Sequence, residues 1–226
     1  VAALASWFAI DYAHGAAAAR PAWTAYPLFV VGMAVVPAAG DAVTFLLGWE
    51  VMALASTVLV AADHATRPQV RPAVLWYAVM THLSFLLVLA GFAVLASHAG
   101  ATTWTALAAA RPEGLTASVA FAMLATGFAV KAGLMPFHVW LPRAHPEAPS
   151  HVSAVMSAAM VKLGLYGLLL VTTRLLPGGP QWWALALLAL GLGSAAYGIL
   201  QASVSSDLKR LLAYSTTENV GLMVSA

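Results

Sequence analysis

Three ionisable side chains stand inside apolar segments: Glu50 in FLLGWEVMALAS, Lys131 in FAVKAGLMPF and Lys162 in AAMVKLGLYG. Only 8% of the chain is charged, so their placement is informative. A lysine at the centre of a membrane helix costs about 2.5–3.5 kcal/mol on insertion scales; such a residue turns toward the protein interior or water and marks an ion or proton path. One acid and two bases at similar depth on three neighbouring helices make a buried polar axis along which protons can pass. The competing reading is structural, with one Glu and one Lys paired as interhelical glue and the second Lys bonded to a backbone carbonyl.

Beside Lys131 the helix is expected to break. Pro136 has no N–H to donate, and Gly133 loosens the same turn, leaving backbone groups that a membrane tolerates only where they line a cavity or are buried in protein. His138, His145 and His151 follow across a proline-rich connection at spacings of seven and six residues. That pattern fits no metal-ligand spacing, so no metal is expected. Imidazoles titrate near neutral pH, which makes His138 and His151 candidate proton relays, with His145 equally readable as an interfacial polar residue satisfied by water. His82, deeper in YAVMTHLSFLLV, reads as a further relay. The chain has no Cys. Thiolate-held iron–sulfur clusters, disulfides and a cysteine nucleophile are thereby excluded, no cofactor is expected, and any redox chemistry belongs to a partner chain.

The elements that must position these groups follow from composition. Hydrophobic residues make up 62% of the chain and mean hydropathy is +0.87. A soluble domain of this size could not cover such a surface, and the lack of polar–apolar alternation argues against a barrel. The expected fold is all-α, a polytopic transmembrane helix bundle with a proline-broken helix. At ~20 residues per crossing, candidate spans lie at 1–10 (partial), 25–39, 42–62, 73–97, 116–141 (broken), 150–175, 182–202 and 211 onward (partial). Pro21, Pro68, Pro72, Pro112 and the PGGP at 177–180 punctuate them. Ser153, Ala154, Ser157, Ala158 and Gly164 give the low profile that lets membrane helices approach closely, with Ser157 also placed to hold a water.

Arg20, Arg67, Arg71, Arg143, Lys209 and Arg210 fall in the connections of one side, against Arg111 and Arg174 beside Asp41 and Glu113 on the other; the first side is expected to be cytoplasmic. The net charge of +2 therefore reports topology, and no nucleic-acid partner is expected. Val1 and Ala226 both lie within apolar segments, so the 226 residues are expected to be an interior fragment of a single integral membrane domain.

Several separated motifs occur in order: GWEVMALAS around Glu50, KAGLMPFHVWLPRAHPEAPSHVSAVMSAAMVKLGLYG from Lys131 to Gly167, and SSDLKRLLAYSTTENVGLM from Ser205 to Met223. Together they resemble the antiporter-like proton-conducting subunits shared by respiratory complex I, multisubunit cation/proton antiporters and membrane-bound hydrogenases. LPRAHPEAPSHVSA and STTENVG look most like hydrogenase-4 component B and the formate hydrogenlyase membrane subunit. The resemblance implies an inverted-repeat transporter fold of about fourteen helices with two five-helix bundles, residues 25–175 being the first bundle and 181–226 the start of the second. It also implies that Glu50 pairs with and tunes the central Lys131 on the broken helix, that Lys162 links toward the next half-channel, and that Lys209 is a basic relay position near the second bundle.

The function so implied is proton translocation as a subunit of a hydrogenase or NADH dehydrogenase-like oxidoreductase complex, with no redox site in this chain. A multisubunit sodium/proton antiporter subunit and a non-transporting membrane scaffold are the alternatives. The implied partners are the lipid bilayer, other membrane subunits and a peripheral hydrogenase or dehydrogenase arm. The implied location is a bacterial or archaeal inner membrane.

Overall fold

Runs rich in Leu, Ala and Val without strand-like alternation fold as helices, and they do so throughout the described residues, 1–12 and 20–226 of a computed structural model. Arg20, counted above among the positive charges, lies outside the residues whose side chains are described. The helices are α1 (Ala2–Tyr12), α2 (Arg20–Ala38), α3 (Ala42–Val60), α4 (Val70–Ala99), α5 (Trp104–Ala110), α6 (Gly114–Ala132), α7 (Leu141–Glu147), α8 (Ser150–Val155), α9 (Val161–Leu169), α10 (Gln181–Val204) and α11 (Leu208–Ser225). Among the described residues, five helical stretches are long and apolar enough to cross a membrane: Ala42–Val60, Val70–Ala99, Gly114–Glu147, Ser150–Leu175 and Gln181–Val204. Their outward faces carry Leu47, Leu54, Leu86 and Leu185, as a lipid-facing surface requires. The protein is a multi-pass, all-α membrane bundle.

Most expected spans coincide with helices, and the differences have local causes. Helix α4 starts at Val70, so Pro72 lies in its first turn, where its missing N–H costs no intrahelical bond. Helix α5 was not expected; it is too short to cross. Its Trp104 is buried and donates its indole N–H to the carbonyl of Ala39 at 2.6 Å, docking the α4–α6 connection on the α2–α3 turn. At that same turn Asp41 caps α3, accepting from the N–H groups of Val43 (2.8 Å) and Thr44 (2.9 Å) and from the Thr44 hydroxyl (2.8 Å).

The span at 150–175 is continuous but not uniformly α: Met156–Met160 and Leu170–Leu175 are π-helical, on either side of α9. Single π turns inside α-helices concentrate at functional sites. Helix α9 packs on α6 through Gly164, where a Cβ would come within 2.7 Å of the Ala132 nitrogen. Only a glycine lets the two backbones come that close.

The core between α3, α4 and α6 is aromatic. Phe45 lies against Trp49 (5.4 Å between ring centroids, stacked), Phe92 (5.5 Å, edge on) and Trp104 (5.9 Å, edge on), and Phe128 meets the Trp49 ring at 5.4 Å. Such pairings fix ring orientations more tightly than aliphatic packing does.

Candidate functional site

Lys131 occupies the last turn of α6 and is 1% exposed. Its ammonium donates to the Thr81 hydroxyl on α4 at 2.9 Å and lies 5.8 Å from the ring centroids of both Trp49 and Tyr77. Tyr77 is held in turn by a 2.6 Å hydrogen bond with Ser56 on α3 and an edge contact with Trp140 at 5.3 Å. Glu50 is not the contacting partner of Lys131. Its carboxylate Oε1 lies 3.3 Å from His82 Nε2, and among the described residues the ion pairs within 4.0 Å are this one and Arg67–Glu147 at 2.6 Å. Thr81 and His82 are consecutive on α4, so the acid and the base reach the same helix at adjacent side chains.

The Glu50–His82 pair has a defined orientation. His82 Nδ1 faces the carbonyl of Ala78 at 2.8 Å, and a carbonyl can only accept, so Nδ1 carries a hydrogen. Nε2 is thereby the nitrogen that faces the carboxylate, at 3.3 Å.

Gly133 and Pro136 stand where α6 breaks. Gly133 takes the left-handed conformation, φ 70°, that ends a helix, and the N–H of Leu134 bonds back to the carbonyl of Ala129 at 3.0 Å. Backbone groups freed by the break find side-chain partners: Trp140 donates its indole N–H to the Val130 carbonyl at 2.8 Å, and the Met135 N–H is accepted by Ser194 on α10 at 2.8 Å. The chain resumes as a 3₁₀ turn, Phe137–Trp140, leading into α7. Protein groups thus satisfy the irregular backbone next to Lys131.

A second polar cluster forms at the positively charged end. A cavity of about 610 Å³ between α8, α9 and α11 is lined by His145, Ser153, Ser157, Lys162, Lys209 and Thr216, among others. Lys162 donates to the carbonyl of Ser157, within the first π stretch, at 2.8 Å, and Lys209 to that of Ala148 at 2.9 Å. Thr216 gives its proton to the Leu212 carbonyl at 2.8 Å, so in the 2.6 Å contact with Ser157 it is the acceptor. His145 is 2% exposed, not interfacial, with Nδ1 2.9 Å from the Ser153 hydroxyl.

The other two histidines are placed apart. His138 packs its ring on Tyr197 at 4.7 Å, and His151 lies 5.6 Å from the Tyr26 ring. No three His, Asp or Glu among the described residues converge as metal ligands. The structure therefore assembles two clusters, Lys131–Thr81 with Glu50–His82, and Lys162–His145–Lys209, and leaves His138 and His151 at their margins.

The profile of the family described as "NADH:quinone oxidoreductase/Mrp antiporter, TM" matches residues 39–226. The chain belongs to this family. Its relatives include an uncharacterised protein of Mycobacterium tuberculosis, 56% identical over all 226 residues of this chain and 35% of the relative's length. Hydrogenase-4 component B of Escherichia coli is 37% identical over 88% of this chain and 30% of its own length. A chain of the Mrp complex from Dietzia sp. DQ12-45-1b superposes with a TM-score of 0.80 at 29% identity, over 89% of this chain and 22% of that one. The chain thus spans about a third of the length of these curated relatives. Family membership agrees with the resemblance carried by the Glu50, Lys131 and Lys209 motifs.

Within this family member, sequence reasoning found the charged residues and missed what holds them. Thr81 is one residue from the noticed His82, and a hydroxyl at mid-span was the available signal for a lysine acceptor. Trp49, Tyr77 and Trp140 read as ordinary apolar filling. The π turns carry no local sequence signature that separates them from α-helix.

Proposed function

We propose that the protein carries protons across the membrane as a subunit of a hydrogenase or NADH dehydrogenase-like oxidoreductase complex. The observation that supports this most is the placement of a fully buried lysine beside a satisfied helix break, its hydroxyl partner Thr81 adjacent on α4 to the His82 that faces Glu50. Protons load at Glu50–His82 and Lys131, and pass toward Lys162 and the cavity that it shares with His145 and Lys209. His138 and His151 flank this route, and the Gly133–Pro136 break lies beside it. On this reading residues 25–175 form one antiporter-like bundle and 181–226 begin the next. The chain works beside other membrane subunits and a peripheral arm, in a prokaryotic inner membrane.

The test is proton uptake by inverted membrane vesicles carrying the full-length protein in its complex, driven in turn by hydrogen, formate and NADH, with electron transfer followed separately. Lys131→Ala and Lys162→Ala should each abolish uptake per electron while electron transfer continues. Unchanged coupling in both variants sinks the reading and favours a scaffold. The likeness to an Mrp complex chain supports a second reading, cation/proton antiport. Sodium-dependent proton movement in the absence of any electron donor distinguishes it.

A further inference from the structure

The Lys131 ammonium has three N–H bonds and, among the described residues, one hydrogen-bond acceptor, Thr81. Among the described residues no carboxylate lies within 4.0 Å of it. What faces it is aromatic: Trp49 and Tyr77, 0% and 1% exposed, each with its ring centroid 5.8 Å from Nζ. That is within the ~6 Å at which a ring quadrupole attracts a cation, and the attraction grows when both are removed from water.

The Trp49 ring is not held by its polar atom. A buried indole usually finds an acceptor for its N–H, yet the Trp49 N–H has none among the described residues. Its plane is set by Phe45, stacked at 5.4 Å, and by the edge of Phe128 at 5.4 Å. The Tyr77 ring is fixed at its hydroxyl by Ser56 and by a T-shaped contact with Trp140. Both π faces are held rigidly before any charge arrives, which is what makes an electrostatic contact effective.

We propose that Trp49 and Tyr77 are positioning residues that clamp the Lys131 ammonium between two π faces, in the place where a contacting carboxylate would otherwise stand. The clamp rests on the proton-carrying reading of Lys131. Unlike a carboxylate, an aromatic ring has no net charge and takes no proton, so it grips the ammonium without forming an ion pair that must be broken at each transfer. Glu50, engaged with His82, is left free to exchange its own proton.

Fluorination of the Trp49 indole tests this, because each fluorine weakens the ring's negative face while barely changing its shape. The full-length protein in its complex would carry mono- to tetrafluorotryptophan at position 49, in the Lys131 background and in Lys131→Met, with Lys131→Gln as a second neutral background should the first not accumulate. With Lys131 present, the thermal midpoint should fall stepwise, by roughly 2–4 °C across the series, and proton uptake per electron should fall in the same order. In the neutral backgrounds the midpoint should not move. Tyr77→Phe, which keeps the ring, should retain more uptake than Tyr77→Leu.

A flat series with Lys131 present, or equal slopes in charged and neutral backgrounds, overturns the clamp. A charge-dependent slope in thermal midpoint, together with normal uptake in Lys131→Met, would instead leave the clamp standing and remove the transport reading.

Discussion

At the scale of single residues, Lys131 depends on a hydroxyl one helix away. Thr81→Val removes the oxygen and keeps the shape, so the ammonium loses a charge-assisted hydrogen bond worth about 1.5–3 kcal/mol. Uptake per electron should fall by tenfold or more on the scale of about 1.4 kcal/mol per decade, and Thr81→Ser should restore most of it. Glu50→Gln and His82→Gln should each impair uptake, and the double variant should be no worse than the more damaging single one, because the two side chains face each other at 3.3 Å and act as one unit. Additive losses in the same vesicle assay would show that they act separately. The charged members of this arrangement were legible because an ionisable group in an apolar run is conspicuous. Their contacts were not. Whether Lys131 meets Glu50 or Thr81 is decided by the rotation of α3 and α4 against α6, which no local spacing records.

At the scale of elements, the break in α6 is carried by Gly133 more than by Pro136, since the helix has already ended at Ala132 before the proline is reached. Gly133→Ala forces a side chain into the left-handed region at a cost of about 1–2 kcal/mol, and its Cβ would sit 3.2 Å from Leu141. It should lower the thermal midpoint of the solubilised protein more than Pro136→Ala does. The break itself could be read from the glycine and proline, whereas the partners that stabilise it, Trp140 and Ser194, lie beyond the window in which helix signals operate.

A second element carries a pH signature. The backbone N–H and then the hydroxyl of Thr44 hold the Asp41 carboxyl below its usual range at the head of α3. A depressed carboxylate contributes stability above its unfolded value, about pH 4, and loses that contribution as pH falls through the folded one. Asp41→Ala should therefore be less stable than the parent at neutral pH, and the gap in thermal midpoint should close on acidification below that range.

At the scale of the whole molecule, the chain's two ends differ in charge, and the structure gathers Arg67 with Glu147 and Lys209 with the Ala148 carbonyl at one of them. The positive end should face the cytoplasm. Ala65→Cys and Thr105→Cys, both exposed and at opposite ends of the bundle in a 226-residue stretch without cysteine, give a test with a thiol reagent that cannot cross membranes, read against the unsubstituted protein. Thr105→Cys should label from outside intact cells and Ala65→Cys only after lysis; the reverse pattern inverts the topology. The bundle as a whole was legible because hydropathy sets crossings directly, and α5 was not, because seven residues pinned by one indole leave no periodic trace.

The π turns on either side of α9 have a consequence for chain length. Each houses one residue more than an α-helix needs over the same rise. Loss of a single residue between 156 and 160 should close that turn into α-helix without interrupting the crossing, and should leave Lys162 on nearly the same face relative to α8. A single-residue loss within the all-α segment of α6 before Lys131 has no such slack to draw on: it turns the lysine by about 100° and should misplace it or abolish folding. Homologous chains of this family should therefore tolerate one-residue gaps beside Lys162 far more readily than ahead of Lys131.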